Sequence, residues 1–121
     1  MLYTGLPVRT ISVGEVVAPT AQATVSDVMV DVADSIIDTL QFKCVSITIK
    51  NTGAETISWQ VIGSNDAAFV VPITVQASAD IAAAATSSYS STTAIWRYYK
   101  VQVRDKVNAA HGEATVVEIM K

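Results

Sequence analysis

Two short runs of alternating apolar and polar residues, joined by a turn-forming segment, constrain the fold of this chain most strongly. Residues 45–50 read VSITIK and residues 57–61 read ISWQV, so each run has one apolar face and one polar face. Between them, the Asn51 side chain can bond to nearby backbone, and Gly53 tolerates a positive φ. The sequence therefore predicts an antiparallel β-hairpin over residues 43–63 with a single buried face.

Further strands are predicted on both sides of this hairpin. They cover residues 24–32, 69–75, 88–90, 94–104 and 114–120, the last of them pairing back as the closing strand. The alanine run at 82–85 favours a helix but provides no apolar stripe, so residues 78–93 are predicted to be extended with at most one helical turn. About seven to eight short strands without a long helix indicate an all-β fold, a single antiparallel β-sandwich of immunoglobulin-like or jelly-roll type.

The N-terminal segment differs from the rest of the chain. Residues 1–21 contain Pro7 and Pro19, which cannot donate to a strand ladder. We expect these residues to form an extended arm that reaches a neighbouring subunit, or an edge strand near residues 8–13. The sandwich domain is expected to span residues 22–121.

The charge pattern bears on the class of partner. A formal net charge of -3 and a pI near 4.9 argue against an electrostatic nucleic-acid binder. Four aspartates lie close together in the first third of the chain, and four basic residues lie close together in the last third. Such asymmetry predicts strand pairing within one fold, with head-to-tail alignment of subunits as the alternative. The charged residues in question are Asp27, Asp31, Asp34, Asp38, Arg97, Lys100, Arg104 and Lys106.

The sequence provides few groups for catalysis or for metal binding. Cys44 is the single cysteine and His111 the single histidine, so neither an internal disulfide nor a structural zinc site is expected. Asp34 with Asp38, and the pair Asn65-Asp66, could contribute oxygens to a calcium site, but turn formation explains them better. We expect no enzyme activity and no cofactor. Because no signal peptide or membrane span is recognisable, we also expect folding in the cytoplasm and no membrane partner.

The aromatic residues suggest where the protein makes contacts. Trp59 lies on the apolar face of its run and is predicted to be in the core. Aromatic rings mixed with basic side chains on one partly polar face are typical of protein-protein interfaces. The predicted interface comprises the face formed by Trp96, Tyr98, Lys100 and Arg104, together with Leu2, Tyr3 and Val8 of the arm.

Two stretches between Ile37 and Arg104 form a recognisable pattern: the run VSITIKNTG…ISWQVIGSND and the later SSYS…WRYYKVQVRD. By this pattern, the segment resembles small β-sandwich proteins of tailed bacteriophage virions. The resemblance implies a virion structural protein, such as a capsid decoration (cement) protein or a tail or neck component. Its partners would be further copies of itself and other virion proteins, such as a major capsid or tail protein.

A different class of function remains open. A glycan-binding module on a phage or bacterial surface would use Trp96 and Tyr98 as stacking rings. Asn65 and Asp66 would then be the polar groups that read the sugar.

Overall fold

Nine strands are found in the part of the chain that the computed structural model describes, which is residues 8–16, 29–40, 42–93, 95–105 and 112–120. No helix occurs in these residues. The strands are β1 (Val8–Val16), β2 (Val30–Asp31), β3 (Ile37–Asp38), β4 (Val45–Asn51), β5 (Ile57–Ser64), β6 (Ile73–Ile81), β7 (Thr86–Ser91), β8 (Tyr98–Asp105) and β9 (Gly112–Met120).

The strands form two antiparallel sheets. The first has the order β1-β9-β4-β7, and the second has the order β2-β8-β5-β6 with β3 also paired to β8. β2 and β3 pair with successive stretches of the same edge of β8, so together they take the place of one strand. The two sheets are therefore four strands wide each, eight in all. The predicted all-β sandwich is therefore confirmed.

The core lies between the two sheets. β4 buries every second side chain, and most side chains of β5 are buried, which removes apolar area from water at about 25 cal/mol per Å². Trp59 is fully buried, as predicted, and so is the aliphatic face of β8. The buried cluster includes Val45, Ile47, Ile49, Ile57, Trp59, Val61, Tyr99, Val101 and Val103.

The hairpin predicted over residues 43–63 is wrong. β4 pairs with β7 and β9 in one sheet, whereas β5 pairs with β6 and β8 in the other. The segment between them is an arch that crosses from sheet to sheet. Alternation shows that each strand has one buried face, but it does not show whether two such strands lie side by side or face each other across a core.

The predicted partner of the closing strand is also wrong, because the sequence pattern locates this strand without showing which strand it pairs with. β9 matches the predicted strand at 114–120, but it pairs with β1 and β4, and does not return beside β8. The chain therefore crosses between the sheets again between β8 and β9.

The N-terminal segment contributes a strand of the first sheet. β1 runs along β9 from the pair Val8 and Ile119 to the pair Val16 and Gly112, at the edge of that sheet. The rest of the predicted arm, including Leu2 and Tyr3, lies outside the described residues, as do residues 24–28 of the predicted second strand. Deleting residues 1–21 would consequently remove an integral strand.

The middle of the chain differs from the prediction mainly in its strand bounds. The strand predicted at 69–75 begins at Ile73 and continues to Ile81. Residues 82–85 form a turn between β6 and β7, and β7 includes the strand predicted near 88–90.

The two ends of the sandwich carry different connections. At the arch end, residues 51–57 and 81–86 connect the two sheets. At the loop end lie Leu40, the loop 65–72 between β5 and β6, and residues 95–97 before β8. No helix in the described ranges is long and apolar enough to cross a membrane.

Candidate binding site at the loop end

The Asp66 side chain holds the loop 65–72 in shape. Its Oδ1 accepts hydrogen bonds from the backbone N–H groups of Ala68 (3.1 Å) and Val70 (3.0 Å). Its Oδ2 accepts from the Ser64 hydroxyl (2.9 Å) and the Val71 N–H (3.4 Å). These bonds, above all the one from Val70, lower the pKa of the Asp66 carboxyl below its ordinary value. A carboxylate has about four acceptor sites, so this one is fully used within the loop.

Phe69 fixes the middle of the same loop. Its φ is 53°, in the left-handed region that costs a non-glycine residue about 1–3 kcal/mol unless its surroundings enforce it. Here the Phe69 N–H donates to the carbonyl oxygen of Asp66 (3.1 Å), and the ring is only 8% exposed. The Lys100 ammonium lies 4.6 Å from the ring centroid, within cation–π range. The loop is therefore anchored on the outer face of the second sheet.

This anchored loop exposes apolar side chains to solvent. Val70 is 77% exposed and Val71 is 69% exposed, although both are aliphatic. Three more exposed aliphatic residues lie at the same end of the sandwich: Leu40 at 66%, Ile95 at 75% and Ile73 at 41%. Exposed aliphatic side chains scattered singly are ordinary, whereas several at one end of a domain make that end a candidate interaction surface.

Hydrogen bonds between neighbouring segments hold the loop end together. The Thr39 N–H donates to the Arg97 carbonyl (2.7 Å), and its hydroxyl donates to the Trp96 carbonyl (2.7 Å), which places Leu40 beside residues 95–97. The Arg97 N–H in turn donates to Asn65 Oδ1 (3.3 Å). The exposed aliphatic residues thus project from one connected structure.

A cavity of about 310 Å³ opens at this end, and it is lined by Asn65, Asp66, Val71, Ile73 and Trp96. This volume is at the lower limit of small-molecule sites, and it would also hold one protein side chain. The Trp96 indole packs against the Gly63 backbone so closely that a Cβ at position 63 would lie 2.7 Å from Trp96 Cδ1. Glycine at 63 is therefore needed to seat the ring that forms one wall of the cavity.

The residues of the predicted interface are distributed over different surfaces. β8 begins at Tyr98, so Trp96 precedes the strand and packs half-buried against the core. The prediction that it shares one face with Tyr98, Lys100 and Arg104 is wrong, because the strand predicted to start at 94 starts four residues later. Arg104 lies on β8 opposite Ser58, and Val8 is the first residue of β1.

Two basic residues around the start of β8, Arg97 and Lys100, form ion pairs with acidic residues of the same chain. Arg97 makes a two-pronged ion pair with Asp38, with nitrogen–oxygen distances of 3.2 and 3.1 Å. Lys100 pairs with Asp31 at 2.9 Å. The prediction that acidic residues of the first third pair with basic residues of the last third is confirmed for these two pairs. The Arg97 bond lowers the pKa of the Asp38 carboxyl.

Sequence reasoning missed the exposed aliphatic residues, although one signal for them is present. The run Val70-Val71-Pro72-Ile73 follows the turn formers Asn65-Asp66, and the prediction placed it in a strand. Pro72 cannot donate to a ladder, so the strand begins only after it. The two valines before the proline therefore stay in the loop, where they have no core to enter.

The residue types that bind metals are not brought together in the part of the chain that the structure describes. No group of three or more His, Cys, Asp or Glu side chains among them is placed to hold a metal ion. Cys44 is half-buried, with its Sγ 3.5 Å from the Thr92 carbonyl oxygen. His111 lies outside the described residues.

Comparison with known proteins assigns neither a family nor a function. No protein-family model and no curated protein matches the sequence. The crystal structure of a protein named PirA shares 13% identity over 93% of this chain and 92% of that chain, with a TM-score of 0.48. A structure from Bacillus endospore appendages, described as a novel family of disulfide-linked pili, shares 14% identity over 99% of this chain and 94% of that chain, with a TM-score of 0.37. The fold assignment above rests on the strand pairing of this chain itself.

Proposed function

We propose that this chain is a non-enzymatic structural protein of a bacteriophage virion, and specifically a capsid decoration protein that acts through protein-protein contacts and self-association. The observation that carries the proposal is the group of exposed aliphatic side chains at the loop end. There, a loop fixed by hydrogen bonds to Asp66 holds Val70 and Val71 in solvent, at the same end of the sandwich as the exposed Leu40 and Ile95.

The rigidity of the loop supports a role in binding. Four hydrogen bonds to Asp66 and the left-handed φ of Phe69 fix the loop before any partner arrives. A loop that is ordered in advance loses little conformational entropy when it binds, so more of its apolar burial contributes to affinity. Backbone strain of this kind is commonly found at ligand clamps and other functional sites.

The virion part of the proposal rests on the resemblance of residues 37–104 to small phage β-sandwich proteins. In that setting the loop end would contact a major capsid or tail protein, and the chain would be located in the virion.

Mass spectrometry of gradient-purified particles, produced from the phage genome that encodes this chain, tests the proposal. We expect the chain at a copy number comparable to that of other structural proteins. Complementing a deletion with Val70→Asp should lower incorporation, whereas Ala83→Asp, which adds the same charge at the arch end, should leave it unchanged. Particles that lack the chain at every stage of purification would contradict the virion role.

One observation favours the glycan-binding alternative. Of the four residues expected to form a sugar site, Trp96, Asn65 and Asp66 line the same cavity. Sugars, however, are read by free polar groups, and both oxygens of Asp66 already accept two hydrogen bonds each. The Oδ1 of Asn65 is also engaged, by the Arg97 N–H.

Tryptophan fluorescence during titration with bacterial surface oligosaccharides distinguishes the two functions. The decoration role predicts no saturable change. A saturable change that disappears in Trp96→Ala would support a glycan-binding module, because Trp59 is buried in the core and away from ligand.

A further inference from the structure

We propose that the cavity at the loop end receives an aliphatic side chain from a second copy of this chain, so that two loop ends pair about a two-fold axis. This inference rests on the proposed self-association and names the surface that performs it.

The chemistry of the cavity selects an apolar occupant. Its acceptor oxygens are already engaged: the Asp66 carboxylate accepts four hydrogen bonds from Ser64 and from its own loop, and Asn65 Oδ1 accepts one from the Arg97 N–H. The remaining lining consists of Val71, Ile73 and the Trp96 indole. An aliphatic side chain would gain contacts with all three, whereas this part of the wall would offer little to a polar ligand.

The same surface also carries side chains of the kind that the cavity would accept. Val70 and Ile95 are each about three-quarters exposed, at 77% and 75%, and Val70 is adjacent in sequence to Val71 of the cavity lining. A two-fold interface brings one patch against its own copy, so that patch must contain both the projecting group and its receptor. The loop end contains both, and each copy would insert one side chain and receive one.

The charges near the patch do not oppose such pairing. The exposed guanidinium of Arg97 and the exposed carboxylate of Asp38 neutralise each other at 3.1 Å within one copy. Lys100 is likewise paired with Asp31 at 2.9 Å. Repulsion between two copies would therefore come mainly from the Asp66 carboxylate of the cavity lining, whose negative charge is spread over its four hydrogen bonds.

The size of the patch predicts a weak dimer. Stable dimers bury about 800 Å² per partner, and five exposed aliphatic side chains with part of one indole provide less than that. We expect a dissociation constant in the micromolar range, which would become significant where many copies are held close together on a particle.

Sedimentation velocity of the full chain from about 1 to 500 µM tests this inference across the expected range. The sedimentation coefficient should rise with concentration toward that of a dimer. Val70→Asp and Ile95→Asp should each weaken dimerisation by about tenfold or more, because each places a charge in an apolar contact. Ala83→Asp at the arch end is the matched control and should dimerise normally. Circular dichroism verifies that every variant is folded.

The inference is overturned if the chain remains monomeric over the whole range, or if it dimerises equally well in Val70→Asp and Ile95→Asp. Failure of the inference can be distinguished from failure of the proposed function. A monomeric chain that is nevertheless present in purified particles would retain the virion role, with another virion protein covering the loop end.

Discussion

Asn51 donates from its side-chain amide to the carbonyl oxygen of Ile81 over 2.9 Å, and this bond joins the two connections that cross between the sheets at the arch end. Asn51 ends β4 in the first sheet, and Ile81 ends β6 in the second. The same amide also donates to the Glu55 carbonyl at 2.6 Å, while its Oδ1 accepts from the Gly53 N–H at 3.0 Å. One fully buried side chain therefore closes this end of the sandwich.

Replacing Asn51 with Ala should be among the more damaging substitutions in the chain. It removes three hydrogen bonds and leaves buried carbonyl groups without partners, so we expect a loss of about 3 kcal/mol in the free energy of unfolding. Urea denaturation measures this loss. Thr52→Ala, at the exposed neighbouring position, should change stability by less than about 0.5 kcal/mol. A similar small effect at both positions would contradict the role assigned to Asn51.

Replacing either of two adjacent alanines at the arch end with glycine should have opposite effects on the stability of the fold. Ala84 has a φ of 61°, which glycine adopts without strain, so Ala84→Gly should stabilise the fold by up to about 1 kcal/mol. Ala83 does not have a positive φ, so Ala83→Gly should destabilise the fold by roughly 0.4–1 kcal/mol through added freedom of the unfolded chain. Thermal denaturation of the two variants gives the comparison. Shifts of the same sign would show that the turn differs from the one described.

Gly63 and Trp96 should be energetically coupled. Gly63→Ala places a methyl group against the Trp96 indole and should cost about 1–3 kcal/mol. In a Trp96→Ala background the same change should cost much less, because the ring that it meets is gone. A double-mutant cycle by urea denaturation measures this coupling, and additive effects would show that the ring is seated elsewhere.

The Asp66 carboxyl should make the stability of the protein depend on pH under acidic conditions. Its pKa in the folded state lies below the unfolded value of about 3.9, chiefly because of the Val70 N–H. The stabilisation from these bonds is therefore complete above about pH 4 and is lost as the pH falls through the folded pKa. Between about pH 5 and pH 2, Asp66→Asn should lose less unfolding free energy than the unsubstituted protein. Equal losses in urea titrations would rule out this role for Asp66.

The sequence predicts the strands of this fold better than their partners. Alternation located β4 and β5 and identified their buried apolar residues, because the side-chain period of two is a local property. Pairing is not local, and a turn-forming Asn51-Thr52-Gly53 fits a hairpin or an arch equally well. What distinguishes them is pairing with distant strands, together with the hydrogen bond from the Asn51 side-chain amide to the carbonyl oxygen of Ile81, thirty residues further along the chain.

The candidate site was predictable only in part. Trp96, Asn65 and Asp66 were recognised as chemically capable groups, and the structure places them around one cavity. The exposed Val70 and Ile95 were not recognised, because apolar residues in a β-rich sequence are assigned to the core by default. Their exposure depends on Pro72 delaying β6 and on β8 beginning only at Tyr98.

Hydroxyl-radical footprinting of the chain, free in solution and bound in purified particles, tests most directly whether the loop end makes the contacts of the protein. We expect Val70, Val71, Ile95 and Trp96 to become protected on the particle, while residues 82–85 at the arch end react equally in both states. Particle-bound chain whose loop end remains as reactive as in the free protein would contradict the role assigned to this end of the sandwich.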